Sequence, residues 1–369
     1  MPELADIFRR HGPEYLSRFS DRMLPSHIKA MERISDCRTQ TMGGHVYLCD
    51  RCAALRFSYH SCKNRHCPKC GNESTDLWLK KQLELLLPQT YFLVTFTLPE
   101  ELRPIARSNQ KAVYDLLFTA SSEALKKLAL DPRHLGGRLA MLGVLHTWGR
   151  DLCYHPHIHY VIAGGSLDSG NRWLCSSEKF LVPVAALSPI FRAKFRDGLK
   201  KLGLCDSVDP RVWKKAWVVH SKPVGAAEGA LRYLAPYVYR VALSNNRIEH
   251  VGQNTVSFRY KESDTGSRRR MILSPMDFIH RFLQHVLPDG FHKVRYYGLL
   301  SPKNRKTLKL LQNVLAANTT LGAILKCKEP EQSSQPGSHD RADPLLCPHC
   351  GGTFKWLKAL NPTNRGPPW

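Results

Sequence analysis

The sequence predicts an α+β fold headed by a small module that a metal must organise. Three observations predict it. The stretch from Cys37 to Cys70 is dense in cysteine and short of long apolar runs, so burial alone cannot hold it and a bound metal has to supply folding energy. Two β-prone runs, residues 139–148 and 157–163, are joined by a short connection that permits antiparallel pairing. Several longer stretches repeat apolar residues at spacings of three and four, the period of a helix with one buried face.

The elements follow in order. Residues 1–36 read as a short helical lead-in. Residues 75–87 read as a helix stopped by Pro88. The run YFLVTFTL at 91–98 is continuously β-prone and fits a buried strand. Over 104–129, Val113, Leu116, Leu117, Ala120, Leu125 and Leu128 fall at helical spacing. Residues 217–220 form a short strand, and 226–243 a helix. Residues 247–250 and 255–261 make a hairpin around Gly252-Gln253-Asn254. A helix spans 274–287: Ser274 is its N-cap, Pro275 suits the first turn, and Asp277 lies near the positive helix end. Its apolar residues are Phe278, Ile279, Phe282, Leu283 and Val286, and Pro288 ends it. Residues 301–326 are basic and helical, and 328–344 form a polar linker. The domain division is therefore 1–75, lead-in and zinc-binding module; 76–300, catalytic domain; and 301–369, a basic C-terminal segment with a linker and a lone CxxC.

Charge narrows the partner. The chain has 54 Lys+Arg against 31 Asp+Glu, a net +23. That excess suits a polyanion, of which nucleic acid is the commonest. The first 19 residues hold no apolar signal core, and no run of eighteen apolar residues occurs, so neither export nor a membrane span is expected. In a cytoplasmic chain, cysteines in CxxC spacing read as metal ligands rather than disulfides.

Cys49-x-x-Cys52 and Cys67-x-x-Cys70 flank a fourteen-residue loop, the spacing of a zinc ribbon in which each pair presents two thiolates to one tetrahedral ion. Cys37, His45, Cys62 and His66 lie nearby; the spacing leaves open whether they form a second site or replace a ligand in the first. Lys63, Arg65 and Lys69 decorate the module and are candidate DNA contacts. Cys347-Pro-His-Cys350 is half a zinc site, with its other half open among Cys327, a histidine elsewhere and a second subunit.

The most informative segment is Tyr154-His155-Pro156-His157-Ile158-His159-Tyr160. On a strand, His157 and His159 point to one face while Ile158 points to the other. Two imidazoles side by side repel if both charge and are natural partners on a metal. Pro156 is expected to precede the strand proper, so the third ligand should come from the pairing strand, where His146 sits. Imidazole donors favour Mn²⁺ or a relative beside Mg²⁺.

The segment Leu231-Arg232-Tyr233-Leu234-Ala235-Pro236-Tyr237-Val238-Tyr239-Arg240 offers nucleophiles. On a helix Tyr233 and Tyr237 share a face, whereas Tyr239 lies roughly 200° from Tyr237. Pro236 kinks or breaks that helix. A phenol attacks a phosphodiester only when charge building on the phosphate is stabilised, which a histidine-held ion would do. Lys222, Arg232 and Arg240 are candidates for holding phosphates.

Together, Gly43-Gly44-His45, Cys49-Asp50-Arg51-Cys52, the run from Ser61 to Cys70, His155-Pro156-His157-Ile158-His159, Tyr233-Leu234-Ala235-Pro236-Tyr237 and the 282–300 stretch resemble the IS91 family of bacterial insertion-sequence transposases. The resemblance covers most of residues 37–300. It implies an HUH endonuclease, an antiparallel sheet packed with helices in which His157-Ile158-His159 is the metal-binding signature. It implies that Tyr233 or Tyr237 attacks single-stranded DNA and holds a 5′-phosphotyrosine, with two tyrosines permitting successive strand transfers in rolling-circle transposition. Structural Zn²⁺ and catalytic Mg²⁺ or Mn²⁺ are the implied cofactors. The implied partners are single-stranded element ends and target DNA together with host replication machinery, in the nucleoid; a homo-oligomer is left open. A plasmid replication initiator or relaxase of the HUH class is the alternative enzyme, which the N-terminal ribbon disfavours. A non-catalytic zinc DNA-binding protein is the alternative of another class, and leaves the histidines and tyrosines without a role.

Overall fold

The structure is a computed structural model that describes residues 1–226, 229, 241–262, 265–324 and 345–363. The described helices are α1 (Leu4–Phe19), α2 (Pro25–Asp36), α3 (Pro68–Leu83), α4 (Arg103–Ser108), α5 (Gln110–Leu130), α6 (Val184–Lys201), α7 (Pro275–Leu283) and α8 (Arg305–Ile324). The strands are β1 (Gly44–Cys49), β2 (Leu55–Tyr59), β3 (Thr90–Thr97), β4 (Ala140–Trp148), β5 (Tyr154–Ala163), β6 (Gly165–Leu167), β7 (Trp173–Cys175), β8 (Val219–Ala226), β9 (Ile248–Val251), β10 (Val256–Lys261), β11 (Arg268–Leu273), β12 (Val294–Gly298) and β13 (Phe354–Leu360). The mixed α and β architecture with antiparallel sheets matches the sequence expectation.

The central sheet runs β12-β4-β5-β3-β8, every pair antiparallel. One face carries Phe92, Val94, Phe96, Ile158, Tyr160 and Ile162 into a core shared with Leu117 and Phe118 of α5 and Phe191 and Phe195 of α6. The other carries Leu93, Leu142, Val144 and Val161 against Leu79 and Leu83 of α3 and Leu308 and Leu311 of α8. Burial on both faces is why these strands read as unbroken apolar runs rather than alternating ones. Helix α6 escapes the sequence reading, although Leu187, Phe191, Phe195 and Leu199 recur every fourth residue, and all four are buried. The expected 104–129 helix is two helices that meet at Asn109.

At the exit of β12, Gly298 takes the left-handed φ of +58°, and a Cβ there would collide with the carbonyl oxygen of Leu139. Gly298→Ala should cost about 2–4 kcal/mol, strain and steric overlap combined. A denaturant melt that leaves the midpoint unmoved would refute this.

A second core joins chain segments far apart in sequence. Leu4 and Phe8 of α1 and Ile34 of α2 pack with Phe258 of β10 and with Phe278 and Phe282 of α7. The lead-in helices thus rest on the β11-β10-β9 sheet. Ser274 caps α7 as expected: its hydroxyl accepts from the Asp277 N–H at 3.1 Å and donates to the Asp277 carboxylate at 2.7 Å. The helix ends at Leu283, four residues short of the sequence expectation, because the Leu287 N–H turns away to donate to His66 Nε2 at 3.2 Å.

The third sheet, β13-β1-β2, brings the C-terminal strand back onto the N-terminal module. Of the expected helix at 226–243, Ala226 instead ends β8 and residues 241–243 are not helical, while residues 230–240, with Tyr233, Tyr237, Tyr239, Arg232 and Arg240, lie outside the described residues, as does the expected linker at 328–344.

Candidate metal and catalytic centre

Strand register builds the histidine cluster. His146 of β4 lies directly opposite His157 of β5. His159, two residues on and on the same face, lies opposite Thr95 of β3. Candidate ligand nitrogens of His146, His157 and His159 all lie within 4.8 Å of one another. The three ring centroids are 4.8–5.3 Å apart, with ring planes near perpendicular. They occupy the end of a sheet face that is otherwise mainly apolar.

Pro156 lies inside β5, not before it. Three steps from Tyr154 to His157 oppose two from Trp148 to His146, so β5 carries a bulge here. A proline fits where one residue is left out of the ladder. His155 is not one of the clustered ligands: its Nδ1 accepts from the Arg103 guanidinium at 2.9 Å, although its ring centroid lies 5.2 Å from that of His157.

Neighbouring groups fix the rings. His157 Nδ1–H donates to the His155 carbonyl at 2.6 Å, which leaves Nε2 as the lone-pair nitrogen. His159 Nδ1 is bonded to Thr95 Oγ1 at 2.8 Å. His146 stacks on Trp148 with centroids 5.0 Å apart. His146 is buried, whereas His157 and His159 keep part of their surface open. Burial, and then the adjacent His159 ring, hold His157 well below the usual imidazole range. Burial, and then Lys222, lower His159 to about 4. Both rings are therefore neutral at pH 7, the form that binds metal. The donor set fits a divalent ion: three neutral imidazoles, with no carboxylate among the described cluster, favour Mn²⁺ or a later metal over Mg²⁺. Thr95 escaped the sequence reading; its signal was a polar residue between the apolar Val94 and Phe96 of a mainly buried strand. Thr95→Val should weaken divalent-ion binding roughly 10–100-fold through loss of ring orientation. Calorimetric titration giving an unchanged affinity would sink that role.

The cysteines pair differently from the sequence expectation. Cys67 and Cys70 join Cys37 and Cys62, while Cys49 and Cys52 join Cys347 and Cys350. The reason is local: Cys67 is the N-cap of α3, and α3 carries Cys67 and Cys70 toward the end of α2, where Cys37 sits. In the first cluster the Cys37–Cys70 and Cys62–Cys70 sulfurs are 3.5 and 3.6 Å apart. Tetrahedral Zn–S bonds of about 2.3 Å place sulfurs about 3.8 Å apart, whereas a disulfide needs about 2.05 Å. Neither neighbouring histidine joins: His45 Nδ1 accepts from Trp356 Nε1–H at 3.4 Å, and His66 is engaged by Leu287.

Two candidate DNA contacts are committed within the chain. Arg65 is bound to the carbonyls of Phe291 and Pro288, at 2.5 and 2.9 Å. Lys69 pairs with Glu3 at 2.6 Å. Lys63 lines a cleft of about 420 Å³ that also holds Lys29 and Arg33. Lys222 sits two residues after His220, which lies opposite Thr95, so it shares the histidine face.

Comparison with known proteins gives the family. A family model described as "Transposase zinc-binding domain", of the IS91 type, matches residues 7–98, and one described as "Putative transposase" matches residues 140–307. "Putative transposase y4qJ" of Sinorhizobium fredii is 38% identical over 377 residues, covering 95% of this chain and 93% of that protein. The chain belongs to the IS91 family of insertion-sequence transposases. The transposase for insertion sequence element IS801 of Pseudomonas savastanoi pv. phaseolicola is also similar, 26% identical over 358 residues, with 90% of this chain and 84% of that protein covered. No solved structure matches this transposase. Among its described residues no helix is long and apolar enough to cross a membrane.

Proposed function

We propose that this transposase is an HUH-type nuclease and strand transferase that acts on single-stranded DNA through a tyrosine. The observation that carries the proposal is the imidazole triad, with the Nδ1 atoms of His157 and His159 already engaged. His146, His157 and His159 would hold a divalent ion, whose chemistry is to polarise the scissile phosphate and stabilise its developing charge. Tyr233 and Tyr237 are the proposed nucleophiles. The attacking phenol loses its proton, its oxygen bonds to phosphorus, and the 3′-oxygen leaves, so the 5′ end stays on tyrosine and a 3′-hydroxyl is freed. That hydroxyl primes replication or attacks a second phosphotyrosine, as rolling-circle transposition requires. Lys222, on the histidine face and electrostatically coupled to His159, is the proposed phosphate-holding cation.

Ala242 and Leu243, five and six residues after Tyr237 in the sequence, are buried in the core against which Trp148, the ring stacked on His146, also packs. Zn²⁺ in the Cys37, Cys62, Cys67 and Cys70 cluster would hold the N-terminal module folded.

Single-stranded DNA carrying element-end sequence, with Mg²⁺ or Mn²⁺, should give a covalent adduct that survives denaturation. Tyr233→Phe/Tyr237→Phe should give none. An equal adduct from that variant would overturn the reading.

A further inference from the structure

We propose that Cys49, Cys52, Cys347 and Cys350 form a second zinc site, distinct from the Cys37 cluster, that locks the C-terminal strand onto the N-terminal module. Cys347 and Cys350 lie outside both stretches that the family models match. The two CxxC turns are built alike. The Cys49 N–H donates to the Ala54 carbonyl at 2.9 Å, and the Ala53 N–H to the Cys49 carbonyl at 3.2 Å. The Cys347 N–H donates to the Gly352 carbonyl at 2.7 Å, and the Gly351 N–H to the Cys347 carbonyl at 2.9 Å. Ala53 and Gly351, each following the second cysteine of its pair, both take left-handed φ, +58° and +68°. At Ala53, a non-glycine residue, that conformation costs energy and persists because the surrounding turn fixes it.

The two turns also face each other. The Asp50 N–H donates to the Thr353 carbonyl at 3.1 Å, and the Thr353 N–H returns a bond to Asp50 Oδ1 at 2.9 Å. The Cys49–Cys350 and Cys52–Cys347 sulfurs are 3.5 and 3.6 Å apart, close to the tetrahedral zinc–thiolate spacing and far from a disulfide. A Cβ on Gly352 would sit 2.8 Å from Cys49 Sγ, so glycine is needed beside the site. Among the described residues the apolar core here holds only Cys49, Cys347 and Phe354 as buried residues. The β1–β13 ladder joins the same segments, and an ion bound by the four thiolates would add folding free energy to that small core.

The test counts metal in the full chain, in a His157→Ala background that disables the imidazole site. Elemental analysis should give two zinc ions per chain, falling to one in Cys347→Ser/Cys350→Ser. In that variant Cys49 and Cys52 should become open to alkylation by iodoacetamide while Cys37, Cys62, Cys67 and Cys70 stay protected. One zinc in the parent, iron in place of zinc, or two zinc ions retained by the variant overturns the proposal. Where the variant does not fold, the parent is chelated in steps and alkylated. Cys49, Cys52, Cys347 and Cys350 should then react as one group, and a group made of Cys49, Cys52, Cys67 and Cys70 overturns the proposal.

Discussion

Replacing His157 with alanine should slow strand cleavage by roughly 10³-fold or more, because an ion that stabilises several kcal/mol of developing charge is lost from the transition state. The three rings form a near-equilateral cluster, and the His157 centroid lies about 5 Å from each of the other two. Without it, His146 and His159 remain as a two-point site of lower affinity, so raising Mn²⁺ should restore part of the rate. The fold should persist, because the ring sits on the polar end of the sheet and takes no part in the apolar core. Cleavage at the parent rate at low metal, with the melt unchanged, would remove the triad from the mechanism.

The same ring carries an acid limit. His157 lies well below, and His159 at about 4 against, an unfolded value near 6.5. Between those values the unfolded chain binds protons that the folded chain refuses. The stability is therefore complete above about pH 6.5 and falls as pH drops toward 4. In metal-free buffer, the gap between denaturant midpoints at pH 7.5 and pH 5 should shrink in the His157→Ala variant; an equal gap would deny these rings their part in acid unfolding.

The histidine site was legible in the sequence because a strand obeys a period of two: His157 and His159 must share a face, and a short connection must bring His146 alongside. The bulge at Pro156 was not, since it depends on the partner strand leaving out one residue. The cysteine partners were not legible either. Chain proximity favoured joining Cys52 to Cys67, but pairing is decided by where β1 and α3 point, and Cys347 returns to Cys52 across 295 positions. Arg65 and Lys69 looked like exposed cations because no local pattern reveals a carbonyl or carboxylate supplied by residues 288, 291 or 3.

Cys67→Ser should unfold more than the small module that carries it. Cys37 and Cys67 are 0% and 1% exposed and belong to the second core, with the half-buried Cys62 and Cys70 packed against it. That core also contains Phe8, Ile34, Phe258, Phe278 and Phe282, which places α1, α2, α7 and the β9–β11 sheet on one cooperative unit. Burial, helped by the neighbouring Cys67 and Cys70 sulfurs and opposed by the Cys62 backbone bond, pushes the Cys37 thiol up to about 12, so the thiolates are favoured with a cation among them. A structural zinc of this kind contributes on the order of 10 kcal/mol of apparent folding free energy, more than most domains have to spare. The sequence, which placed residues 1–75 in a unit of their own, predicts that zinc removal melts only residues 37–70. The packing predicts that loss of protection reaches α7 and β10, some 200 residues away, while β3, β4 and β5 keep theirs in the independent core on α5 and α6. Hydrogen exchange on the Cys67→Ser protein distinguishes the two. Unchanged protection across residues 275–283 would show that the second core stands without its metal.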